Sequence, residues 1–86
     1  MPQEVSAELQ RVVRRWQQLP LDRALSWVPQ VRLLLDDLAG PLAPVPDLGP
    51  AVVMDQLTVL VYDACAAGGD ADHLTARLAD LRRALT

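Results

Sequence analysis

No lysine, asparagine, isoleucine or phenylalanine occurs among the 86 residues, and cysteine, histidine and tyrosine occur once each. The four missing types all have AT-rich codons, which predicts a high-GC bacterial genome and removes functional weight from an all-arginine basic set. The lone Cys65 excludes an internal disulfide and fits a reducing compartment. With His73 the sole histidine and no glutamate after Glu8, the Glu plus Glu-x-x-His pattern of metal-carboxylate bundles cannot be built. No metal and no cofactor are therefore expected. A basic n-region leading into an apolar h-region is missing, as is any 18-residue apolar run, so neither secretion nor a membrane span is expected and the cytoplasm is the expected setting.

What is present is apolar. Hydrophobic residues make up 51% and charged residues 22%, a high ratio for a chain that buries only roughly 60–65% of its unfolded surface. One domain over residues 1–86 is the expectation, with self-association or a standing partner to cover the excess. The net charge of −3 divides unevenly: residues 1–34 carry five arginines against three acids, and residues 35–86 carry three arginines against eight acids. This favours neither free nucleic acid nor an anionic membrane, and suits head-to-tail packing between halves or subunits.

Four stretches have helical periodicity. In the first, about 3–19, Val5, Leu9, Val12, Val13, Trp16 and Leu19 share a face, with Glu4, Glu8, Arg11, Arg15 and Gln18 opposite. In the second, about 20–39, Leu21, Ala24, Trp27, Val28, Val31, Leu34, Leu35 and Leu38 form the stripe. Pro20 starts that helix, Gly40 and Pro41 stop it, and Pro29, on the outer side, should kink or divide it. The third, about 50–67, buries Val53, Met54, Leu57, Leu60, Val61, Ala64 and Cys65; strand propensity in "LTVLVY" is overruled because no partner strand exists elsewhere. The fourth, about 71–85, is capped by Asp70 and repeats Ala71, Leu74, Leu78, Leu81 and Leu85 at coiled-coil spacing.

Between helices two and three, residues 40–50 hold four prolines and two glycines, so an extended, polyproline-like crossover is expected. Leu42, Val45 and Leu48 fall on its three-residue repeat and can pack on the bundle. The fold class is thus all-α: a small four-helix bundle, most simply antiparallel, with a kinked second helix and a crossover long enough for either a hairpin or a return along a whole helix.

Candidate sites follow from residues that break these patterns. Leu33 projects outward among aspartates, Leu25 lies at the stripe's edge, and Val52 and Val59 fall on the polar side of the third helix; these four are the interface candidates. Gln56 and Asp63 flank the third helix's apolar face and Thr75 and Arg82 flank the fourth seam, so an Arg82–Asp63 ion pair would fix helix register. His73 should be solvated, Cys65 a small buried hydrophobe, and Trp16 and Trp27 packing residues. Arg11, Arg14 and Arg15 read as a solvated helix face.

The sequence therefore points to a non-enzymatic protein-interaction module, with a homodimer or another protein as partner. A small-ligand protein or cofactor-free helical enzyme is the alternative. All-helical mutases of the chorismate-mutase type are of similar size, but only Arg82 here approaches an apolar face as their several inward cations do. A DNA-associated regulator is the third reading, with "QRVVRRWQQ" its sole candidate recognition helix among acidic neighbours.

Overall fold

A computed structural model gives the fold and describes residues 1–41 and 43–85. Four helices form, α1 (Gln3–Gln18), α2 (Leu21–Ala39), α3 (Val53–Ala66) and α4 (Ala71–Ala84), with no strand among the described residues. The expected all-α, four-helix class holds. The predicted stripes build one core from Val5, Leu9, Val12 and Trp16 of α1, Ala24, Val31, Leu34 and Leu35 of α2, Val53, Met54, Leu57 and Val61 of α3, and Leu74, Leu78 and Leu81 of α4, closed by Leu85.

Local chemistry sets the ends. Asp70 Oδ1 accepts from the backbone N–H of Asp72 at 2.9 Å and of His73 at 3.2 Å, capping α4. α3 stops in a Schellman turn: the N–H of Gly69 reaches the Ala64 carbonyl at 2.8 Å and that of Gly68 the Cys65 carbonyl at 3.1 Å. Gly68 takes φ +81°, and a Cβ on Gly69 would lie 2.7 Å from the Ala64 oxygen, so both positions need glycine. α3 begins later than expected, because Pro50 to Val52 form a turn before it. α2 runs through Pro29 as one helix and is not divided there.

The direction of the helices corrects the simple antiparallel picture. α1 packs along α4, and α2 along α3; α1 also touches α3. Thr75 shares a cleft with Gln3 and Ala7, Arg82 meets Glu8, and Leu85 meets Arg15, so α1 and α4 run in the same sense. Leu21 and Ala24 lie with Ala51 and Met54, and Ala39 lies with Val59 and Leu60, so α2 and α3 also run in the same sense. The two pairs oppose each other: Trp16 near the end of α1 reaches Pro50 ahead of α3. The order is up, down, down, up, and the crossover takes the longer of its two options, returning along α2.

Side chains hold that crossover, whose prolines leave carbonyls without sheet partners. Arg32 Nη2 donates to Val45 O at 3.2 Å, Gln56 Nε2 to Pro46 O at 3.0 Å and Trp16 Nε1 to Pro50 O at 3.1 Å. Val45 packs on the core as its spacing suggested, but Leu48 is exposed; Leu42 lies outside the described residues. Two further expectations fail. Leu21, assigned to the α2 stripe, is exposed because it sits in the first turn at the stripe's edge. Glu8, assigned to the polar face of α1, is only 9% exposed because α4 covers that flank.

Candidate protein interface

Helical spacing turns the outward leucine into part of a row. Leu21, Leu25, Pro29 and Leu33 succeed one another every four residues along α2, and all four are exposed. Residues four apart on a helix have Cβ atoms about 5–6 Å from each other, so the row is a continuous apolar ridge about 18 Å long. Asp22, Ser26 and Asp36, also exposed, border it. Leu33 remains 65% exposed with the crossover seated beside it on Arg32, so the crossover does not cover it. A ridge at four-residue spacing has the geometry that interdigitates with another helix at a crossing near −50°.

The other two interface candidates lie elsewhere. Val59 is exposed and lines a groove of about 410 Å³ with Ala39, Pro44, Pro46 and Leu60, between α3 and the crossover. Val52 is half-buried in the turn ahead of α3. Tyr62, which sequence reasoning passed over, is 58% exposed on α3 and lines a cleft with Met1, Val13 and Arg14. Leu25 and Leu33 are therefore brought together, and Val52 and Val59 do not join them.

The four polar candidates have separate fates. Arg82 meets Glu8 instead of Asp63: Nε donates to Oε2 at 2.9 Å and Nη2 to Oε1 at 3.5 Å, while Asp63 is exposed. The reason is the packing of α4 on α1. Arg11 adds a 3.0 Å contact to Glu8 Oε1. Hydrogen bonding from Arg82 holds the Glu8 carboxyl below its ordinary pKa, aided by the charges of Arg82 and Arg11 and opposed by burial. Gln56 grips the crossover, and the Thr75 hydroxyl oxygen is buried with no hydrogen-bond partner among the described residues.

The basic cluster is largely occupied, Arg11 by Glu8 and Arg15 by the Leu85 carbonyl at 2.9 Å. Trp16 is buried and Trp27 and Cys65 are half-buried against the core, while His73 is exposed. Among the described residues no group of three or more His, Cys, Asp or Glu is placed to hold a metal ion, and no helix is long and apolar enough to cross a membrane. Comparison with protein-family models, with curated proteins and with solved structures yields no match.

Proposed function

We propose that this chain is a protein-interaction module without catalysis of its own, and that it self-associates through the outer face of α2. The exposed ridge of Leu21, Leu25, Pro29 and Leu33 carries this reading. Single exposed leucines are ordinary on any protein surface; a continuous row at helix-packing spacing is an interface feature. A two-fold dimer uses the same patch twice, so one ridge supplies both sides. The bacterial, cytoplasmic setting inferred from the missing amino-acid types and the single cysteine belongs to the same reading. Arg11 and Arg15, two of the three clustered arginines, are already engaged within the fold, which weighs against a DNA-binding face.

The deciding measurement is solution mass by light scattering after size exclusion, across a concentration range and in reductant. A species of twice 9.4 kDa that Leu33→Asp converts to monomer supports the ridge contact. A monomer at every concentration refutes self-association. The groove beside Val59 supports a second reading, a small apolar ligand, because Ala39, Pro44, Val45, Pro46, Val59 and Leu60 give it a predominantly apolar lining. Protection of Val59 methyl resonances by an apolar probe, lost on Val59→Asp, tests it.

A further inference from the structure

The two extensive helix pairings, α1 with α4 and α2 with α3, each join a helix before the crossover to one after it. Within each half the two helices, joined by Leu19 and Pro20 or by residues 67–70, approach one another less closely than the helices of these pairs do. The polar ties respect the same division. Glu8 with Arg82, Arg15 with the Leu85 carbonyl, Asp37 with Arg77 at 2.9 Å and Trp16 with the Pro50 carbonyl all link the first half to residues from the end of the crossover onward. The buried core draws on both halves at once, on α1 and α2 before the crossover and on α3 and α4 after it.

Gly40 at φ +82° and Gly49 at φ +88° stand at the two ends of the crossover, and a Cβ on either would meet nothing within 4 Å. Both glycines thus serve backbone conformation and not close packing, and both can adopt negative φ without strain. Between them lie Pro41, Pro44 and Pro46, which stiffen the segment toward polyproline geometry. Local hydrogen bonds hold each glycine here, Gly40 N–H to the Asp36 carbonyl at 2.9 Å and Gly49 N–H to Asp47 Oδ1 at 3.2 Å; a proline-stiffened segment with a glycine at each end has two directions available, back along its own α2, as here, or outward.

We propose that two copies of this chain exchange halves, residues 3–39 of one packing on residues 53–85 of the other, with both crossovers extended between them. Every α1/α4 and α2/α3 contact is reproduced in such a dimer, and only the crossover's own contacts change. The proposal rests on the self-association reading in naming a second copy as partner; it does not need the α2 ridge.

The test uses full-length chains in a Leu33→Asp background, which disables the ridge. One chain carries Glu8→Arg and the other Arg82→Glu, so each alone sets like charges against one another between α1 and α4. The two are unfolded together, refolded at high concentration and weighed by native mass spectrometry with one chain isotope-labelled. Exchange matches opposite charges at both α1/α4 contacts of a mixed dimer, which should exceed either homotypic dimer about tenfold or more and regain thermal stability. Homotypic species alone, or a statistical mixture without regained stability, would overturn it. Isotope-filtered NOEs on the chain with its native charges, again with Leu33→Asp, give a second readout: α1-to-α4 methyl contacts between labelled and unlabelled chains support exchange, and contacts confined to one chain refute it.

Discussion

Glu8 and Arg82 stand 74 positions apart and meet through two hydrogen bonds, Nε to Oε2 at 2.9 Å and Nη2 to Oε1 at 3.5 Å. The pair ties α1 to α4 at one point along two helices that run in the same sense. The Glu8 side chain is 12% exposed and that of Arg82 32%, so the contact is sheltered but not dry. Arg82→Ala should destabilise the fold by about 1–3 kcal/mol, since it leaves a sheltered carboxylate with Arg11 alone. In a domain this small, each kcal/mol lowers the thermal midpoint by about 4–8 °C. An unchanged midpoint by circular dichroism would show that the pair contributes nothing.

The same carboxyl makes stability depend on acid. Its folded pKa lies below its ordinary value of 4.5, chiefly through the Arg82 hydrogen bond. The contribution is therefore fully present above the unfolded pKa and disappears as pH falls through the lower, folded one. Glu8→Gln keeps the shape and removes the titration. Urea melts should show native chain and variant farthest apart near neutral pH and converging at the acid end. Curves separated by a constant amount down to pH 3 would rule out Glu8 as the titrating group.

How far the sequence speaks is clear from these residues. Asp70 as a cap, the seam of Leu74, Leu78, Leu81 and Leu85, and the outward Leu33 were legible because each depends on local periodicity or capping chemistry. The partner of Arg82 was not. A stripe says which face is buried without saying against which helix, and a crossover spanning residues 40–50 permits either a hairpin or a return. Glu8 lies only about 40° on the helical wheel from Val12, a sign that it borders the core; the polar character of the residue outweighed its position.

Thr75 offers a test of the opposite sign. Its hydroxyl oxygen is buried without a hydrogen-bond partner among the described residues, and an unmet buried hydroxyl is unfavourable by about 1–3 kcal/mol. Thr75→Val is nearly isosteric and should leave stability unchanged or raise it by up to about that amount. Thr75→Ser keeps the hydroxyl, loses a methyl and should be less stable than the native chain. Thermal melts that placed Val below Ser would show that the hydroxyl has a partner in solution.

Leu33 separates folding from association. At 65% exposure it contributes little to the monomer, so Leu33→Gln should change unfolding free energy, measured at concentrations below the association range, by no more than about 0.5 kcal/mol. In a ridge-to-ridge dimer each copy loses the burial of one leucine, about 3–6 kcal/mol over the two copies. That corresponds to association weakened about a hundredfold or more. Leu33→Asp should weaken it further, with a slight loss in the monomer as well, because a third carboxylate joins Asp36 and Asp37 near the C-terminal end of α2. Sedimentation equilibrium supplies the association constants. Equal association for all three chains would place any dimer contact away from the outer face of α2, whereas a graded loss with an intact monomer fold assigns it there.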